Sequence, residues 1–136
     1  MKEAPTESRS VIVERDIAHP PEKIWRVLTQ SHLIEEWLMS NDFKPDEGHQ
    51  FRLSADWGEV HGEVREVEPN RTLAYSWDTK DLKSVVVWTL TPTDTGTRLR
   101  MEQSGFAADQ TPYYRGATAG WNRFIAKMEE ILARDD

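Results

Sequence analysis

The feature that most constrains this chain is a change of hydrophobic period near its C-terminal end. Between residues 50 and 101 apolar side chains fall on alternate positions; from Trp121 onward they recur at steps of three and four. A period of two turns one face of an extended strand inward, whereas three-and-four steps draw a stripe along a helix. Phe51, Leu53 and Ala55 alternate with Gln50, Arg52 and Ser54, and Val60, Gly62 and Val64 with His61, Glu63 and Arg65. Val67 falls out of phase with Val64, which predicts a bulge or a strand end. Leu73, Tyr75 and Trp77 form the next inward set, and Leu99 and Met101 the last. Between them Val86, Trp88 and Leu90 oppose Val85, Val87 and Thr89. Such a strand, apolar on both faces, is expected centrally or beneath a helix. Asp56-Trp57-Gly58, Pro69-Asn70 and Thr93-Asp94-Thr95-Gly96 read as the intervening turns, the last with glycine where positive φ is needed.

The terminal stripe is Trp121, Phe124, Ile125, Met128, Ile131 and Leu132. Thr111 suits a helix cap and Pro112 a first turn. Gly116 and Gly120 each weaken such a helix by about 1 kcal/mol relative to alanine, and close approach of the helix to a sheet is one expected offset. Upstream, residues 9–18 are β-branched and partly alternating, and His19-Pro20-Pro21 ends that strand. Residues 22–29 carry Ile24, Trp25, Val27 and Leu28 at helical spacing, and a second short helix follows from about Ser31 with Leu33, Ile34, Trp37 and Leu38. The order is therefore strand, two short helices, a run of strands and one long helix, which is α+β. A meander of about five strands must bury its apolar face, and only the terminal helix is large enough to cover it.

The 136 residues fit one domain, expected over 9–136 behind a flexible tail at 1–8. With 17 basic against 24 acidic side chains the net charge is −7, which disfavours nucleic acid as a partner. Cysteine is absent, so thiolate catalysis, thiolate metal ligation and disulfides are excluded. The first residues are polar and carry no apolar core of a secretory signal, and no apolar run approaches the roughly 20 residues that span a bilayer. The expectation is a cytoplasmic protein with no membrane partner, as a monomer or a homodimer.

Taken in order, these motifs resemble the START-like (Bet v 1-like, helix-grip) superfamily. Within it they are most similar to bacterial proteins related to the C-terminal domain of the activator of Hsp90 ATPase. The pieces that carry the resemblance are VERDIAHPPEKIWRVLT, EEWL, GEVREVEPNRTLAYSW, VVVWTLTPTDTGTRLRMEQSGF and GWNRFIAKMEEIL, spread over about residues 11 to 132. The resemblance implies a curved antiparallel sheet of seven strands wrapped around the C-terminal helix, with a cavity between them. It does not imply one activity, because members bind lipids, hormones and polyketides, some are cyclases or hydrolases, and others are cochaperones.

No catalytic constellation stands out. His32 and Glu36 are spaced i, i+4, but no third ligand accompanies them, so no metal and no cofactor is expected. His19, His49 and His61 read as surface residues, and Glu35–Glu36, Glu129–Glu130 and Asp135–Asp136 as solvated charge. An enzyme would need a buried ionisable group, for which Tyr75 and Asp56 are the candidates. The inward set Phe51, Leu53, Tyr75, Trp77, Trp88, Met101, Trp121, Phe124, Ile125 and Met128 is expected to converge between sheet and helix. Apolar walls with a few polar groups bind small molecules, and Tyr75 with the indole N–H groups offers such polar handles. A filled core looks the same in sequence. Non-catalytic binding of a small apolar ligand is the leading expectation. A cochaperone-like module binding a chaperone partner comes second, and an enzyme acting on an apolar, polyketide-like substrate third.

Overall fold

A computed structural model describes residues 8–80, 82–107 and 111–134. Residues 1–7 of the tail expected at 1–8 and the capping side chains of Thr111 and Pro112 lie outside what it describes, whereas Ser8 already stands in the first strand. The elements are β1 (Ser8–Ile17), α1 (Pro21–Thr29), α2 (Ser31–Trp37), β2 (Ser40–Asn41), β3 (Gln50–Ala55), β4 (Gly58–Glu68), β5 (Thr72–Asp78), β6 (Lys83–Thr93), β7 (Gly96–Ala107) and α3 (Thr111–Arg134). The strands form one seven-stranded antiparallel sheet in the order β1-β7-β6-β5-β4-β3-β2.

Short turns build the meander from β3 to β7, so each strand pairs with its sequence neighbour. β1 breaks that rule by pairing with β7, Val13 opposite Met101, which places the two short helices across one end of the sheet. The phase slip at Val67 is a register shift between Val64 and Glu66 in the β4–β5 pairing, a bulge that bends the strand. Asn70 follows in the left-handed region at φ 66°, which asparagine tolerates in a turn.

The sheet turns Val60, Val64, Leu73, Val86, Leu90 and Leu99 inward, all buried. β6 does lie inside the sheet, and its outer face is left partly open among the described residues. Val85 and Val87 stay half-exposed there beside Ser76, Ser104, Ala74 and Glu102 on the neighbouring strands. α3 crosses the inner face and packs on β1, β7, α1 and α2. Its C-terminal end is tied down twice. Lys23 Nζ donates to the Leu132 carbonyl at 2.8 Å, where a cation also complements the helix dipole, and Arg134 pairs with Glu36. α1 begins at a proline, Pro21, whose missing N–H costs nothing in a first turn, and buries Ile24, Val27 and Leu28.

At Gly96, after the two-residue turn Asp94–Thr95, φ is +155° and a Cβ would stand 2.1 Å from the Ile17 carbonyl oxygen. Gly96→Ala therefore strains the backbone and pushes the end of β1 away from β7. We expect a loss of roughly 1–3 kcal/mol of stability in urea unfolding. A wild-type midpoint would show that the two strands do not meet this closely.

Candidate ligand-binding cavity

Space between sheet and helix is divided unevenly. Toward the C-terminal end of α3, Ile125, Met128 and Leu132 are completely buried and pack with Trp88 and Met101 into a filled core. Toward the N-terminal end α3 stands off the sheet, and a cavity of about 710 Å³ opens between them. That volume lies within the range of small-molecule sites. Its walls are Trp77 and Leu82 from β5 and the β5–β6 connection, Phe106 from β7, and Ala117, Trp121 and Phe124 from α3. Trp57, at the β3–β4 turn, lines the mouth and is 63% exposed. Glu59, Lys80 and Arg123 add charge there.

The stand-off is written into the helix. Gly116, Ala117, Gly120, Trp121 and Phe124 recur at three- and four-residue steps on the face that lines the cavity. One expected offset for the two glycines is that they let the helix approach the sheet closely. They do not: a Cβ at Gly116 would meet nothing within 4 Å, and one at Gly120 only Phe124 Cε2 at 3.9 Å. Their small size leaves open space instead.

Aromatic rings set the boundary of the cavity. Trp121 lies 5.1 Å from Trp77, 5.6 Å from Trp88 and 5.7 Å from Phe124, centroid to centroid, so it joins the cavity wall to the filled core. Its indole Nε1 donates to Gln103 Oε1 at 2.7 Å. Gln103 Nε2 donates to Ser84 Oγ at 2.9 Å, and Ser84 Oγ donates to the Trp77 carbonyl at 2.6 Å. Gln103 also lines the cavity and is 1% exposed. Among the described residues two of its four hydrogen-bonding positions are used, leaving an N–H and a lone pair. The Trp77 indole N–H has no hydrogen-bond partner among the described residues, although the side chain is buried and lines the cavity.

The residues picked from sequence fall into three groups. Trp77, Trp121 and Phe124 line the large cavity. Phe51, Leu53 and Tyr75 line a second void of about 10 Å³ beneath Phe43 and Trp37, too small for an organic ligand. Trp88, Met101, Ile125 and Met128 lie in the filled core, with Trp88 meeting both Trp37 and Trp121 edge-on. Most of the expected polar handles are already engaged. Trp88 Nε1 donates to the Tyr75 hydroxyl at 2.9 Å, and Trp37 Nε1 to the Val27 carbonyl at 2.9 Å. Burial among Phe43, Phe51 and Trp88 pushes the Tyr75 phenol far above its ordinary range; the Trp88 hydrogen bond opposes this less strongly. Tyr75 is thus a neutral phenol in a closed void at physiological pH, and Asp56 is exposed in the β3–β4 turn.

Sequence reading missed Leu82, Gln103, Phe106 and the two glycines as wall residues. Gln103 was available: it continues the inward phase of Leu99 and Met101. Among the described residues no group of three potential metal ligands exists, and no helix is long and apolar enough to cross a membrane. His32 is exposed, and its i+4 neighbour Glu36 is held by Arg134.

Comparison with known proteins agrees with this architecture. The family described as activator of Hsp90 ATPase homolog 1-like protein matches residues 18–133. The crystal structure of protein MLL2253 from Mesorhizobium loti is 60% identical, with a TM-score of 0.92 over 94% of this chain and 99% of that one. The solution structure of Bacillus halodurans protein BH1534 is 25% identical, with a TM-score of 0.81 over 91% and 96% of the two chains. CalU16 from Micromonospora echinospora, 23% identical with a TM-score of 0.82 over 95% of this chain and 77% of its own, shares the fold. No functionally curated protein matches.

Replacing Gln103 with leucine keeps the volume but leaves the buried Trp121 N–H without its acceptor. We expect a cost of about 1–3 kcal/mol in urea unfolding, with a shift in tryptophan emission. An unchanged midpoint would mean that this bond does not anchor the helix.

Proposed function

The chain belongs to the activator of Hsp90 ATPase homolog 1-like protein family, and from that premise we propose that it binds a small apolar ligand, without chemistry upon it, between the sheet and α3. The observation that carries this reading is the helix face of Gly116, Ala117 and Gly120 turned toward a cavity of about 710 Å³. A chain that needed only a packed core would gain from larger side chains there, because filling a cavity adds buried apolar contact. Glycine in a helix is also the poorer choice by about 1 kcal/mol. Both terms favour filling the space, and the chain leaves it open.

Trp77, Trp121 and Phe124 make the first contact with such a ligand, with Leu82 and Phe106 completing the apolar wall. Phe51, Leu53 and Tyr75 hold the adjoining layer, and Trp88, Met101, Ile125 and Met128 form the rigid floor behind Trp121. Pre-set walls of this kind limit the ordering cost of binding. The protein acts in the cytoplasm as a monomer or homodimer in this reading.

A second reading, a cochaperone-like module, draws on a different observation. Trp57 is 63% exposed, and exposed tryptophans serve as anchors in protein interfaces. Trp57→Ala would then abolish capture of the chaperone, whereas Gly120→Leu, which fills the cavity, would leave that capture in place.

The leading reading is checked by intrinsic fluorescence, since Trp57, Trp77 and Trp121 all border the cavity. Titration with uncharged apolar probes such as 1-decanol or a flavone is expected to give a saturable change. Gly120→Leu is expected to weaken binding at least about tenfold while leaving the melting temperature equal or higher, because leucine restores helix propensity. No response to any apolar probe, or full binding by the leucine variant, would falsify the assignment.

A further inference from the structure

Resting on that reading of the cavity, we infer that its ligands are amphipathic anions: an apolar body lies between α3 and the sheet and a single carboxylate-like group is held at the mouth by Lys80 and Arg123. The cavity is chemically two-ended. Its inner wall is apolar, made by Trp77, Leu82, Phe106, Trp121 and Phe124. Its mouth carries two cations from different elements, Lys80 beside the end of β5 and Arg123 on α3, both exposed. Neither has an ion-pair or hydrogen-bond partner among the described residues.

The one carboxylate among the described lining residues has cationic neighbours of its own. Glu59 Oε1 lies 3.4 Å from His61 Nε2 and 3.8 Å from Arg52 Nε, on the outer side chains of β3 and β4. Among the described lining residues the mouth therefore presents two cations against one carboxylate, on a protein whose net charge is −7. General attraction of anions to the surface does not account for such a spot; a local recognition site does.

Desolvation fixes the ligand's orientation. A carboxylate carried to the apolar wall loses its hydration without a charged partner, whereas at the mouth it keeps water and gains two cations. Arginine meets a carboxylate through two parallel N–H bonds, and the low-dielectric wall beside it strengthens the attraction. The chain or ring system then points inward. Along the apolar wall, the Trp77 N–H and the second N–H of Gln103, neither with a partner among the described residues, suit a carbonyl or hydroxyl oxygen on the apolar body.

The test compares matched probes of one chain length: decanoate, 1-decanol and decylamine, each below its aggregation limit, titrated into the full chain at pH 7.5 and low salt. Decanoate is expected to bind about three- to tenfold more tightly than decanol, with decylamine weakest, as two partly solvated ion pairs would give. In the double variant Lys80→Gln, Arg123→Gln the acid-to-alcohol ratio is expected to fall to about one, and in wild type it is expected to shrink as salt is raised. Equal binding of acid and alcohol by wild type overturns the inference and leaves the cavity reading standing. A ratio that survives the double variant overturns it too, by removing the two cations from its cause. Binding of none of the three probes overturns both.

Discussion

One hydrogen bond determines how the rest of the molecule is arranged. Trp121 Nε1 donates to Gln103 Oε1 at 2.7 Å, and both side chains are buried. The bond joins the middle of α3 to β7, and so sets where the helix touches the sheet. A buried indole N–H and a buried amide each carry a desolvation cost that only a partner can offset. The contact is thus specific in a way that leucine on valine would not be. On its C-terminal side, Ile125, Met128 and Leu132 close down onto the core. On its N-terminal side, the small residues Gly116, Ala117 and Gly120 leave open space beside Trp77 and Phe106. The hydrogen bond is the fulcrum between a packed half and an open half.

The chain continues from Gln103 through Ser84 Oγ to the Trp77 carbonyl, at 2.9 and 2.6 Å. This connects β7, β6 and β5 beneath the cavity. A hydrogen-bonded floor of that kind resists collapse, since filling the space would require the helix to swing about Trp121 or the strands to slide. Rings reinforce it: Trp77, Trp88 and Phe124 surround Trp121 in tilted and edge-on contacts that fix its plane. Across the sheet, Tyr75 with Phe43, Phe51 and Trp88 forms a second aromatic group that leaves almost no void. Similar residue types, placed on similar strand phases, thus produce a filled layer in one place and a cavity wall in another.

That contrast explains what was legible in the sequence. The strand phases at Phe51, Tyr75, Trp88 and Met101 follow from alternation, the break in phase after Val64 marks a bulge or a strand end, and the turn before Gly96 follows from its glycine. These depend on local periodicity, which the chain states explicitly. The count of seven strands rested on the family resemblance, and the pairing of β1 with β7 was not read at all, because the long-range partner of a strand leaves no local trace. Void against filled core was not legible, since it depends on the summed volume of side chains from four elements. The glycines were the available signal, yet a helical glycine reads alike whether it admits a neighbouring backbone or leaves a gap. Gln103 hid for another reason: a polar residue on an inward phase suggests a strand end, although here it is the hydrogen-bonded anchor.

The division of labour along α3 bears on how a small domain keeps a cavity open at all. An apolar void forfeits contacts on every wall, and a chain of 136 residues has little stability to spare. Here the loss is confined to the N-terminal turns of the helix, beyond Trp121, while the C-terminal turns are held by buried packing, by Lys23 on the Leu132 carbonyl and by Arg134 with Glu36. The element that frames the cavity is thereby anchored at the end away from it. A ligand seated between Trp77 and Phe124 would supply the missing contacts and stiffen only the unfilled half. Ordering should then rise along residues 115–124 and change little along residues 125–134, because the filled core has no further contacts to gain.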